Sequence, residues 1–195
     1  MRRIILAGLV VFTLLPATSR AQTAFWVESQ NKITTGNNVE PQLEAYQTKK
    51  LSPKFGTTVW ALVSESWGEV LVGGTFSPSD WVEMGLSAGI ETNSPSALRG
   101  GSSLWLGKGR LSLLLLGEKG GSGNWYNVLG TIRIANGKGR NWVLPTDVGI
   151  RGARFQGFGP YVNCRMGSVQ LWIVPVARDF ESNETSGVLG LRVTL

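Results

Sequence analysis

The sequence predicts an all-β fold, a closed antiparallel up-and-down transmembrane β-barrel of about twelve strands, and three observations predict it. Apolar and polar residues alternate with a period of two in segments of about ten residues, and turn-forming residues separate those segments. Glycine (26 residues) and tryptophan (8) are plentiful, while no long helical pattern occurs. Beyond residue 21 no apolar stretch approaches the roughly 20 residues that a membrane helix needs, so any insertion into lipid must use strands.

The first 21 residues read as an export signal. Arg2 and Arg3 open the chain, an apolar run extends from Ile4 to Leu15, and Pro16 ends it. Ser19-Arg20-Ala21 then places small residues at the two positions a signal peptidase reads. The run is too short to cross a bilayer as a helix. Cleavage is expected after Ala21, leaving a barrel domain over residues 22–195, and no cysteine stands at the cut to carry a lipid. Removing Arg2, Arg3 and Arg20 lowers the 19 basic residues to 16 against 13 acids, so the net charge falls from +6 to +3. That modest excess and the export signal argue against a nucleic-acid partner. Cys164 is the only cysteine, which excludes an internal disulfide; a barrel closed by its own hydrogen bonds needs none.

The clearest strand covers residues 81–91. Val82, Met84, Leu86, Ala88 and Ile90 share one face, and Glu83, Gly85, Ser87, Gly89 and Glu91 the other. Before it, strands are read at 23–31, 39–49, 55–64 and 68–76. Turn chemistry links them: Thr34-Thr35-Gly36-Asn37-Asn38, Ser52-Pro53-Lys54, Glu65-Ser66-Trp67 and Ser77-Pro78-Ser79-Asp80. A longer loop over 92–100 leads to a strand at 101–107, and Gly107-Lys108-Gly109-Arg110 turns the chain into the next at 111–117. A glycine-rich loop over 118–124 precedes the strand at 125–134, and 136–145 reads as a loop or an irregular extension. Strands at 146–155, 158–166, 168–176 and 187–195 complete twelve, with ten as the alternative count. Such lengths suit a tilted bilayer crossing. An even count returns both termini to one side, and the 92–100, 118–124 and 178–185 loops would share the other.

Charges inside the strands say what the barrel would contain. By the alternation, Glu69, Glu83 and Glu91 oppose apolar residues and point inward, and Glu28 and Glu44 are placed with them. Arg133 shares a face with Asn127 and Thr131, Arg165 with Tyr161 and Asn163, and Arg192 with Gly190 and Thr194, while Arg151 opposes Val148 and Ile150. An arginine or lysine facing lipid at mid-membrane would cost about 2–4 kcal/mol, which enforces this parity. The expected interior is acidic over the first half of the chain and arginine-lined over the second. It would serve either as a charged pore lining or as a Glu–Arg network that fills the lumen. Trp67, Trp81, Trp125, Tyr126 and Trp142 lie near strand ends, where an interfacial aromatic girdle would sit; the alternative reading makes them core aromatics.

The last nine residues, Gly187-Val188-Leu189-Gly190-Leu191-Arg192-Val193-Thr194-Leu195, alternate to the end of the chain. Leu189, Leu191, Val193 and Leu195 take the lipid face. In this the segment resembles the final strand of the bacterial outer-membrane β-barrel superfamily, whose members usually end in Phe where this chain has Leu195. The resemblance implies an outer-membrane location, with outer-membrane lipid and the barrel-assembly machinery as partners; the chain is expected to be a monomer.

Composition limits the chemistry. No histidine occurs, which excludes a Ser-His-Asp triad and a histidine metal site, and a single cysteine cannot build a thiolate metal site. Gly107-Lys108-Gly109 and Gly120-Gly121-Ser122-Gly123 lack phosphate-loop spacing and open no helix. No cofactor, metal or catalytic residue is expected, and an enzyme built on carboxylates alone has no identifiable pair. The expected function is a narrow passive channel or a structural or surface barrel. A soluble exported barrel that binds a small apolar ligand would show the same alternation with its faces inverted. The direction of the apolar faces therefore separates the two readings.

Overall fold

A computed structural model describes residues 23–36, 38–134, 145–154, 156–179 and 182–195. The expected export signal and Trp142 lie outside these described residues. Twelve antiparallel strands close into one barrel, each paired with its sequence neighbours, and the first closes on the last. They are β1 (Thr23–Thr34), β2 (Val39–Lys50), β3 (Phe55–Ser64), β4 (Gly68–Ser79), β5 (Val82–Glu91) and β6 (Leu98–Lys108). The second half comprises β7 (Leu111–Gly120), β8 (Gly123–Arg133), β9 (Asp147–Ala153), β10 (Gly157–Met166), β11 (Val169–Arg178) and β12 (Thr185–Thr194). Closure gives every described strand two neighbours and so removes the free edge strands of an open sheet.

The start of β1 and the end of β12 lie together, with Trp26 opposite Thr194; we call this the near end and the other the far end. Near-end turns at 80–81, 109–110 and 167–168 are two residues long. Gly109 and Gly167 adopt φ of 62° and 61°, the left-handed conformation that two-residue hairpins demand. At the far end the expected 118–124 loop contracts to residues 121–122, because β7 continues through Glu118 to Gly120 and β8 starts at Gly123. Likewise β6 begins at Leu98 rather than at residue 101. Glycine pairs flank both extensions, and glycine has no side chain with which to display a period of two.

The register fixes which side chains share a face. Along the sheet Phe55, Phe76, Met84, Leu104 and Leu115 are successive cross-strand partners, and all point outward. So do Leu86 (75% exposed), Ile90 (58%) and Ile150 (62%). Outward charges on the strands, Lys49, Lys108, Lys119 and Arg178, all lie within two positions of a strand end. The described barrel thus carries a continuous apolar belt with charged margins. The faces are those of the transmembrane reading, and the inverse arrangement of a ligand-binding soluble barrel is not what the chain adopts.

Side chains occupy much of the lumen. Twelve strands enclose a wider interior than the eight whose side chains just fill a barrel, and this chain places large residues there. Tyr161, Trp172, Val174, Ala177 and Val188 form an inward apolar cluster on β10–β12, with Leu129 of β8 packed against it. Gly190 permits this packing, because a Cβ there would collide with the Trp172 indole. Leu62 and Leu71 are also inward and almost wholly buried.

Candidate functional site

The buried charged residues of the interior form two networks. Glu28, Glu44, Leu62, Glu69 and Glu91 are successive cross-strand partners from β1 to β5, so four carboxylates share one row of the inner wall. Neighbouring like charges repel, and an arginine serves each end of the row. At the seam of the barrel, Arg192 of β12 faces Glu28 in register and donates Nε to its Oε2 at 2.5 Å. At the other end, Arg99 of β6 reaches Glu69, Glu91 and Glu118 at 2.6, 2.8 and 2.7 Å.

The far-end network around Arg99 also ties the connections together. Glu91 accepts from the Ser94 hydroxyl at 2.9 Å, from the Ser122 backbone N–H at 2.9 Å and from the Trp67 indole at 3.1 Å. One carboxylate therefore pins the β3–β4 turn, the β5–β6 loop and the β7–β8 turn. All four charged side chains are almost completely buried. Bonds of this kind are charge-assisted, and in a water-poor interior they are among the stronger ones available.

The second network crosses the lumen. Gln30 of β1 donates Nε2 to Glu28 and Glu44, both at 2.8 Å. Its carbonyl oxygen accepts from Arg151 of β9 at 3.1 Å and from Gln156, after β9, at 2.9 Å. Gln156 donates in turn to Gln42 of β2 at 3.1 Å. Three strands, β10 to β12, separate β9 from β1 around the wall, so these bonds span the interior rather than follow the sheet. The three networked arginines each lie over a tryptophan: Arg99 over Trp67 at 5.0 Å, Arg151 over Trp172 at 3.9 Å and Arg192 over Trp26 at 4.0 Å.

Two cavities stand out inside the barrel among the described residues. One of about 470 Å³ lies toward the far end, lined by Trp67, Trp125, Gln42, Arg99 and Gln156 among others. The other, about 300 Å³, lies on the near side of the networks among Tyr46, Trp60, Trp105 and Glu83. They share no lining residue. Gln30, Leu62 and Glu69 border neither and are 1%, 2% and 4% exposed; with the bonds that Gln30 accepts from Arg151 and Gln156 across the lumen, they make a packed partition between the two cavities.

The charged residues expected inside divide by place. Glu28, Glu44, Glu69, Glu91, Arg151 and Arg192 join the two networks. Glu83 lines the near cavity and accepts from Ser77 at 3.1 Å. Arg133 and Arg165 sit at the near-end rim, Arg133 at 3.9 Å from Asp147 and Arg165 bonded to the Gly167 carbonyl of its own turn. Arg99 and Glu118 fall within the loops expected from sequence, yet they form the centre of the far-end network and place a cation within the acidic half. The two-walled separation of charge gives way to local pairing, Arg99 among three glutamates and Arg151 and Arg192 beside Glu28.

Trp67 and Trp125, expected in an aromatic girdle, face the lumen instead. Trp125 is in register with inward Glu118, and the Trp67 indole is drawn in by Glu91. Tyr126 does face outward, at 6.0 Å from Phe158, and Trp81 is exposed in the β4–β5 turn. The parity that places Asn127 and Thr131 inside already places Trp125 inside. Its position at a strand end masked that signal.

No family model matches the chain, and no curated protein matches it. Solved structures to which it is similar include two mutants of Rh. blastica porin, each at 9% identity and a TM-score of 0.38, with 90% of this chain and 100% of that chain covered. A triple mutant of Rhodopseudomonas blastica porin is similar at a TM-score of 0.37. So distant a likeness says nothing of what this barrel carries.

Proposed function

We propose that the chain is a non-catalytic outer-membrane β-barrel, monomeric and closed at rest, whose lumen is plugged by its own Arg–Glu–Gln networks. The observation that carries the reading is the direction of the faces: an apolar belt outside and buried ion pairs inside. A soluble monomer rarely exposes a contiguous apolar patch beyond a few hundred Å². Within lipid, by contrast, that belt is the favourable surface and a closed sheet is one of the two structures that satisfy the backbone. The packed partition at Gln30, Leu62 and Glu69 favours a structural or gated barrel over an open pore. The wholly described far-end connections at 65–67, 92–97 and 121–122 are short, which disfavours an adhesive surface built from long loops.

Planar-bilayer conductance tests this. The native barrel is expected to give no steady current. Gln30→Ala combined with Leu62→Ala removes two members of the partition and is expected to open a persistent conductance. Steady conduction by the native protein, or silence in the double variant after verified insertion, would contradict the plug.

A further inference from the structure

We infer that the near-end rim of β2–β7 binds an anionic phospholipid, its acyl chain in an outer-wall groove and its phosphate among the rim lysines. The inference rests on the membrane reading and adds a specific ligand to it. The groove, about 950 Å³, is lined by Leu51, Phe55, Phe76, Met84, Leu104 and Leu115. Phe55 and Phe76 form one edge with ring centroids 5.2 Å apart. Leu51 and Lys54 lie in the β2–β3 turn, flanked by Lys50 at the end of β2 and Phe55 at the start of β3.

The charge on this rim is lopsided. Lys49, Lys50 and Lys54 stand at the β2–β3 turn, and Lys108 and Arg110 at the β6–β7 turn. Between them Asp80 is the single acid of the β4–β5 turn, while Glu83 points into the lumen. None of the five cations makes an ion pair among the described residues. The far end mixes signs instead, with Glu40, Glu65 and Glu184 beside Lys119 and Arg178. Five unpaired cations at the margin of an apolar belt, above a groove of acyl-chain character, complement a negatively charged headgroup with its tail. A zwitterionic lipid offers the same tail but no net charge for the lysines.

Trp81 is a built-in reporter, exposed in the β4–β5 turn between the two basic turns. The folded barrel would be placed in phosphatidylcholine vesicles doped with brominated phosphatidylglycerol or with brominated phosphatidylcholine, and tryptophan quenching compared. The expected result is a relative affinity for phosphatidylglycerol at least about fivefold higher, the equivalent of ~1 kcal/mol for one effective base. That preference should vanish in Trp81→Phe and in the triple variant Lys50→Gln, Lys54→Gln, Arg110→Gln, with folding verified by gel mobility. Equal quenching by both lipids, or a preference retained in the triple variant, would overturn the headgroup assignment alone. Quenching by neither lipid would remove the membrane reading and this inference with it.

Discussion

Arg99→Met is expected to lower the unfolding free energy of the barrel by about 3–5 kcal/mol, the cost of leaving a buried charge without its partner. Arg99 is the one cation within reach of Glu69, Glu91 and Glu118 among the described residues, at 2.6–2.8 Å. Methionine fills much of the same volume but leaves three buried carboxylates with no positive partner. Removing one side of a buried ion pair is far more damaging than removing both. Adding Glu69→Gln and Glu118→Met to Arg99→Met should therefore recover a large part of the loss. Denaturant unfolding, followed by the shift in gel mobility of the folded barrel, measures both variants. A loss below about 1 kcal/mol, the scale of exposed salt bridges, would mean that water reaches the network and that the lumen is not sealed there.

Leu86→Arg is expected to cost about 2–4 kcal/mol in a bilayer. Leu86 stands mid-strand on the outer face of β5, paired with Gly74 and Ser102 on its neighbours. Leu111→Arg provides the comparison, since Leu111 also faces outward but opens β7 at the near-end margin. There the cost should fall to about 0–1 kcal/mol, because an interfacial arginine reaches headgroups and water. A soluble barrel would show little effect at either position, as exposed surface substitutions seldom exceed ~0.5 kcal/mol. The difference between the two sites, rather than either value alone, reports the depth of the belt.

Much of this architecture is legible in the sequence, for a simple reason. Lipid on one side and packed polar groups on the other enforce a strict alternation, so Val82 to Glu91 displays its faces residue by residue. Glu28, Glu44, Glu69, Glu91, Arg151 and Arg192 could be placed inward on parity alone. Parity gives the face of a side chain but not its height or partner, and so it could not tell networked Glu91 from Glu83, or Arg151 from rim-bound Arg133. Arg99 and Glu118 were illegible for another reason: each adjoins glycines that mimic a loop, although both lie in hydrogen-bonded strands. The tryptophans misled in a third way. Aromatics near strand ends suggest an interface, but a twelve-stranded lumen needs large planar side chains to fill it and to stack its arginines. Trp26, Trp60, Trp67, Trp125 and Trp172 serve that interior.

Both the lipid-facing belt and the sealed interior depend on the direction in which the β5 side chains point. Spin labels placed one at a time from residue 84 to residue 90, in a Cys164→Ser background, read it directly through collision with oxygen and with a water-soluble nickel chelate. Labels at Met84, Leu86, Ala88 and Ile90 are expected to be relaxed by oxygen and shielded from the chelate, while those at Gly85, Ser87 and Gly89 are not relaxed in that way. The opposite phase, or chelate access to Leu86 equal to that of a label in free solution, would contradict a lipid-facing belt.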